Sequence, residues 1–405
     1  TPTLRPDGTV LATPGYDVQS GLFLSLNGTT FPPIPDTPTT SQLCDALKIL
    51  SDPFVDFPFA EPYHKSGVLA AILTLVARYA VGNVPLFGIR ATTRGSGKTL
   101  LADCISLMTL GRKASKMPQV RDEDEERKRL LAIALEGDSM VVIDNVAGPF
   151  GSPSLDSVIT SSTFKDRVLG RNATKESPLH AVFFVTGNHV TFRGDMARRV
   201  IPIDLAPQME HPETREHFRH GDSQKLMTWL AADRPHFVVA ALTLLRGYLT
   251  AAMPPQPIEA YGGFEPWSNL VRSCLVWLQC PDPCLGRAGL EAGSDEIFEA
   301  HAELLTAWHA CYAQQAITVA TIIGDLQFKT SPPKSTGSLG SIEQLAYDRL
   351  RDALGGIDDK YDGQRLNAKR LGWALRRLDG RIIAGKKFVK SPAHNLGSFW
   401  SVKCV

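Results

Sequence analysis

Thr92-Thr93-Arg94-Gly95-Ser96-Gly97-Lys98-Thr99 lies between an apolar run, Val84 to Ile89, and a helical pattern, Leu100 to Leu110. Strand, glycine-rich turn and Lys-Thr opening a helix is the setting of a phosphate-binding loop. Glycines let backbone N–H groups crowd around phosphate oxygens, and the helix N-terminus adds partial positive charge. The cradle covers Arg94, Gly95, Ser96, Gly97, Lys98, Thr99 and Leu100. Lys98 is expected to reach the terminal phosphates and the Thr99 hydroxyl to ligate Mg²⁺. Thr92 stands where the usual pattern has its first glycine.

Three further apolar runs end in polar groups that belong with such a loop. Ser139 to Ile143 leads into Asp144-Asn145, Ala181 to Gly187 into Asn188, and Val200 to Ile203 into Asp204, just after Arg198-Arg199. Continuous apolar runs predict strands buried on both faces, as in a parallel sheet covered by helices. In such sheets ligands bind at the carboxyl ends of the strands, where Asp144 and Asn188 fall. Asp144 is expected to hold Mg²⁺ through water, and Asn188 to contact the γ-phosphate and the attacking water. Asn145 occupies a position usually held by a carboxylate; an amide orients water but takes no proton. Arg198, with Arg199 beside it, is expected to act on a neighbouring subunit's nucleotide, which implies a closed ring.

The elements that must hold these groups follow along the chain. Residues 1–40, rich in Pro, Thr and Gly, read as an extended linker with a short hairpin within Tyr16 to Phe31. A short helical segment covers 41–63. His64 to Ala80 reads as an apolar helix, Ala114 to Met117 as a short strand, and Asp122 to Leu135 as a charged helix opened by acids. Residues 211–328 are helical, 329–340 a flexible linker, and 341–405 helices followed by two strands at Arg381 to Val389 and Phe399 to Cys404, the order of a winged helix.

Composition excludes some classes. At 405 residues, 43% hydrophobic and 21% charged, the chain is ordinary for a soluble globular protein. A formal net charge of +1 advertises no polyanionic partner globally, so a nucleic-acid surface must be local. The C-terminal unit supplies one, with Arg376, Arg377, Lys386 and Lys387 among its cations. Seven cysteines without regular spacing read as free thiols in a reducing, cytoplasmic compartment, and Cys280 with Cys284 is too little for a zinc site. No stretch is apolar and long enough to span a bilayer. The first residue is Thr, so a native start and an upstream domain are expected before it.

The order Gly95 to Thr99, Val141 to Gly148, Phe184 to Asn188 and Met196 to Leu205 resembles the superfamily 3 helicases of the AAA+ ATPases. It is most similar to the helicase part of primase-helicases carried by phages, plasmids and integrative elements; papillomavirus and polyomavirus replicative helicases share the scheme. The likeness covers 61–210, with weaker likeness at Gly262 to Ser268 and in the C-terminal unit. It implies an α/β AAA+ (ASCE) P-loop domain with a parallel sheet, flanking helical domains and a C-terminal winged helix. It implies an ATP-driven, Mg²⁺-dependent DNA helicase, a hexameric ring on single-stranded DNA, with an upstream primase or replication partner and duplex DNA as a second ligand of the C-terminal unit. On that likeness Lys98 and Thr99 are Walker A, Asp144 and Asn145 Walker B, Asn188 sensor 1 and Arg198 the arginine finger. A family hairpin that grips DNA matches Asp166 to Ser177, with Arg171, Asn172 and Lys175 at its tip. Arg167 is alternatively an interface residue. The rival reading is an initiator in which nucleotide controls assembly and no strands separate. A protein-remodelling AAA+ machine would need an aromatic pore loop, and none is evident in the sequence.

Overall fold

The computed structural model describes residues 1–120, 122–167, 174–216, 218–329, 342–357, 366–394 and 397–405. They form two compact units, Thr1–Glu291 and Ala292–Val405.

In the first unit, β1 (Thr3–Leu4) pairs with β2 (Val10–Leu11), and β3 (Gly15–Asp17) with β4 (Leu22–Leu24). Residues 1–40, expected as an extended linker, instead bury Leu4, Leu11 and Leu24. Thr3 Oγ1 donates to Val76 O at 2.8 Å and Arg246 Nη1 to Gly8 O at 2.9 Å. Leucines spaced among prolines leave no helical or strand period, so this docking was invisible in the pattern.

Helix α1 (Thr40–Ser51) starts on a Thr39–Gln42 capping box. Helix α2 (Pro62–Val76) has 12 of its 15 residues buried, as an all-round apolar helix must. The α/β layer then runs β5 (Leu86–Ala91), α3 (Lys98–Leu110), β6 (Ser115–Pro118), α4 (Glu123–Glu136), β7 (Met140–Phe150), α5 (Pro153–Ile159), β8 (Thr163–Arg167), β9 (Thr174–Pro178), β10 (Val182–Phe192) and β11 (Val200–Leu205). Five of these strands form one sheet in the order β11-β5-β10-β7-β6, and every pairing is parallel. The phosphate-loop strand β5 and the Asp144 strand β7 are therefore separated by β10. Phe87 and Phe184, paired across β5 and β10, stack at 5.2 Å. Arg90 binds Asp204 through both oxygens, at 2.7 and 2.6 Å, locking β5 to β11.

The strands outrun the sequence reading. It ended them at Asp144 and Asn188, but β7 continues to Phe150 and β10 to Phe192 as a two-stranded ribbon, closed by an edge-to-face contact of those two rings at 6.2 Å. Asp144 and Asn188 nonetheless sit level with the carboxyl ends of the neighbours, pairing with Pro118 of β6 and Ala91 of β5.

Helices α6 (Ser223–Ala232), α7 (Arg234–Thr250), α8 (Glu265–Trp267), a π-helical turn (Ser268–Arg272) and α9 (Ser273–Trp277) join the same core. Buried Trp267 donates from Nε1 to Thr74 Oγ1 of α2 at 2.8 Å. The expected helical domain at 211–328 is thus divided: its part up to Glu291 packs with the sheet, and the rest belongs to the second unit. The boundary falls inside α10 (Arg287–Tyr312).

The second unit continues with β12 (Ile317–Thr318), α11 (Val319–Lys329), α12 (Ile342–Gly356), α13 (Ala368–Leu378), β13 (Lys386–His394) and β14 (Gly397–Cys404). Its antiparallel sheet has the order β12-β14-β13. Phe388 touches Trp308 at 5.0 Å and Trp400 at 6.4 Å, edge to face, at the centre of a separate core. The unit starts at Ala292, well before the expected residue 341. Of the expected linker at 329–340, Lys329 closes helix α11 instead, and residues 330–340 lie outside the described residues. Among the described residues no helix is long and apolar enough to cross a membrane.

Candidate functional site

Between β5 and α3 the chain turns through Gly95 (φ 72°) and Gly97 (φ 85°), both in the left-handed region that glycine enters without cost. Ser96, buried, donates from Oγ to Thr93 O at 2.5 Å and tightens the turn. Gly97 caps α3, so Lys98 and Thr99 are its first residues and their N–H groups remain free of intrahelical partners. Arg94 is exposed, and Leu100 is half-buried against the core.

Two hydrogen bonds assemble the site across the sheet. Lys98 Nζ donates to Asn188 Oδ1 at 2.7 Å, and Thr99 Oγ1 donates to Asp144 Oδ1 at 3.2 Å. Four sequence-predicted residues from two strands and one helix end therefore meet, Lys98, Thr99, Asp144 and Asn188, and Asn145 follows Asp144 on β7. Burial pushes the Lys98 ammonium below its ordinary pKa, and the Asp144 charge pulls it part of the way back.

Sequence reasoning missed Thr186. Its buried hydroxyl donates to Asp144 Oδ1 at 2.5 Å and accepts from the Asn145 backbone N–H at 3.1 Å. A hydroxyl inside the otherwise apolar run 181–187 was the available signal. The register slips here, with Val185 opposite Ile143 but Gly187 opposite Val146, so Asp144 and Asn145 together face Thr186. The bulge puts Asn145 at φ 58°, exposed, a conformation asparagine tolerates better than most residues. Gly187 makes the approach possible, since a Cβ there would fall 2.1 Å from Val146 O.

Beside the loop opens a cleft of about 770 Å³, lined by Phe57, Pro58, Gly97, Leu100, Met209 and Phe218 among others. Glu213 leans into it: a Cβ on Gly95 would lie 2.5 Å from Glu213 Oε2. Asp56 and Asp52 tie down the far wall, through Arg219 N to Asp56 Oδ2 at 2.8 Å and Arg219 Nη2 to Asp52 Oδ1 at 2.8 Å.

The donor set fits the groups it was read for. A hydroxyl and a carboxylate oxygen adjacent to a free helix N-terminus suit Mg²⁺, which takes hard oxygen ligands, and a phosphate chain.

The arginines stand apart from this cluster. Arg198 is exposed and pairs with Asp195 at 2.7 Å, just before edge strand β11. Arg199 is turned inward, donating to Asp156 O at 2.7 Å and Asp156 Oδ1 at 3.2 Å. The hairpin arms are β8 and β9, with Asp166 opposite Lys175; Arg127 of α4 grips Asp166 at 2.9 and 3.0 Å. Lys175 is exposed, while Arg171 and Asn172 lie outside the described residues. In the second unit Arg376 and Arg377 are exposed on α13, and Lys386 and Lys387 half-buried on β13. All seven cysteines are free.

No protein-family model and no curated protein matches this chain. Several solved structures are similar to it at low identity. The A form apo structure of the NrS-1 C-terminal region matches at 14% identity and TM-score 0.33, over 53% of this chain and 49% of that one, so the chain spans about half its length. A second NrS-1 structure, of residues 305–718, matches at 12% identity and TM-score 0.41, over 92% and 79%. A JCV helicase with a bound small molecule matches at 14% identity and TM-score 0.25, over 63% and 73%.

Proposed function

We propose that this chain is an ATP-hydrolysing DNA helicase or translocase, working as a ring, hexameric by resemblance, on single-stranded DNA in the replication of a phage, plasmid or integrative element. The observation that carries the reading is the convergence of Lys98, Thr99, Asp144 and Asn188 at the carboxyl edge of a parallel sheet ordered β11-β5-β10-β7-β6.

The backbone N–H groups of residues 95–99 would bind the phosphates, with Lys98 leaving Asn188 to pair with the terminal ones. Thr99 and Asp144 would hold Mg²⁺, whose charge offsets that developing on the phosphoryl oxygens. Thr186 keeps the Asp144 carboxylate in one orientation, and Asn188 and Asn145 would orient the attacking water. The cleft at Phe57 and Phe218 would receive the base. The exposure of Arg198 at the start of edge strand β11 supports its acting on a neighbouring subunit's nucleotide, whereas the inward bonds of Arg199 favour a supporting role. Lys175 of β9 would follow the DNA backbone, as would Arg171 and Asn172 on the reading of the sequence. The strand order β12-β14-β13 with helices between supports a winged-helix reading of the second unit. There Arg376, Arg377, Lys386 and Lys387 would add DNA contacts.

The deciding experiment is strand displacement on a forked duplex with ATP and Mg²⁺, with Lys98→Ala as control. Displacement by the wild type and none by Lys98→Ala is expected; undiminished ATP turnover in Lys98→Ala would remove the phosphate-loop assignment. A second reading, a nucleotide-controlled initiator, is favoured by Asn145, which takes no proton. It predicts ATP-dependent assembly without displacement.

A further inference from the structure

The chain has six tryptophans, and five are wholly or partly buried. Trp373 is 62% exposed. It stands on α13, whose inner face, Leu371, Ala374, Leu375 and Leu378, is buried in the second core. The outward positions are cationic: Lys369, Arg376 and Arg377 are exposed, and helical spacing places Lys369, Trp373 and both arginines on one side. The Arg376 guanidinium lies over the indole, 5.6 Å from its centroid. No acidic residue occurs within α13. His301 of α10 senses the same field, its pKa lowered first by burial and then by Arg381 and Arg377.

An indole amid cations has chemistry that plain phosphate binding does not use. A duplex keeps its bases stacked on one another and offers only their edges, which an indole with one N–H donor and no acceptor reads poorly. An unpaired base exposes its π face, and aromatic stacking on it is worth about 1–3 kcal/mol per base. Arginines on the same side meet the flanking phosphates.

We propose that the outer face of α13 binds single-stranded nucleic acid, with Trp373 stacking on an unpaired base and Lys369, Arg376 and Arg377 holding the adjacent phosphates. This deepens the DNA-binding role proposed above for the second unit and rests on it.

The test uses the full chain without nucleotide, an oligo(dT) and a blunt duplex of equal length, followed by anisotropy and indole emission. Oligo(dT) is expected to bind more tightly than duplex and to quench emission, and Trp373→Phe to abolish that quench while keeping most of the affinity. Trp373→Ala should weaken oligo(dT) binding about tenfold with an unchanged salt slope, because no phosphate contact is lost. Arg376→Ala with Arg377→Ala should lower the slope by about 1.4, at roughly 0.7 per phosphate on a single strand. Wild-type affinity in Trp373→Ala with a normal thermal melt, or a quench that survives Trp373→Phe, overturns the stacking role even where the arginine variant weakens binding. Unchanged binding in the arginine variant as well removes the DNA role of this unit and leaves a protein partner for the face. Equal losses on duplex and oligo(dT) overturn the single-strand preference.

Discussion

At the residue scale, Asn145 and Lys98 set what the site can do. The bulge opposite Thr186 forces residue 145 into left-handed backbone, which asparagine and aspartate tolerate. Asn145→Asp keeps that conformation and adds a proton acceptor, so ATP turnover should rise by about tenfold or more if residue 145 faces the attacking water; unchanged kcat would remove it from that role. Lys98 titrates below an ordinary lysine because it is buried. The unfolded chain then holds this proton more tightly, so stability of the nucleotide-free protein rises with pH between the folded value and 10.5. Nucleotide affinity runs the other way: it is full while Lys98 is charged and falls as pH climbs through the folded value. Lys98→Arg, whose guanidinium stays charged, should flatten that alkaline fall in a titration series. Glu213 lies against Gly95 as an exposed anion beside the turn proposed to hold phosphate. Removing the charge with Glu213→Gln should tighten nucleotide binding by up to about fivefold, the scale of an exposed charge interaction, measured by calorimetry.

At the scale of elements, the site depends on how closely β7 and β10 approach. Gly187 permits it, with only 2.1 Å available between a Cβ and Val146 O. Gly187→Ala should cost about 2–4 kcal/mol, the range of severe overpacking, read as a lower urea midpoint, and should part Thr186 from Asp144. Thr186→Val leaves the packing but removes both hydrogen bonds; it should raise the Mg²⁺ concentration needed for nucleotide binding, and Thr186→Ser should restore it. Equal Mg²⁺ dependence in all three proteins would confine Thr186 to packing. The apolar helix α2 backs this layer through buried His64, whose Nδ1 meets Pro202 O of β11 at 3.0 Å, while Arg90 ties β11 to β5. Edge strand β11 is thereby fastened to α2 and to β5 before any ligand arrives.

At the scale of the whole molecule, two cores carry different chemistry. The first holds the cluster of Lys98, Thr99, Asp144 and Asn188, and the second gathers exposed cations on a chain of net charge +1. Salt should therefore weaken nucleic-acid binding steeply while leaving nucleotide binding in the first unit less affected. Ring action has its own signature. When Arg198→Ala is mixed into wild-type protein, ATP turnover should fall faster than the fraction of variant, because each altered arginine disables a neighbour's site; a strictly proportional fall would place Arg198 outside catalysis in trans.

The sequence by itself determined where the central strands and the glycine-rich turn lie. Apolar runs ending at Asp144 and Asn188, and Gly95-Ser96-Gly97-Lys98-Thr99 before a helix, are local patterns, and local patterns are what periodicity and turn chemistry encode. What it left undetermined depends on residues distant in the chain. The insertion of β10 between β5 and β7 brings Lys98 to Asn188. The two-against-one register at Thr186 turns Asn145 outward and extends both strands past the expected ends. The burial of Leu4, with Val10, Phe31 and Ile34 packed against the same cluster, makes residues 1–40 part of the first core. Each is a matter of which surfaces meet, and hydrophobic burial is non-directional, so only the closed packing of the whole unit selects them.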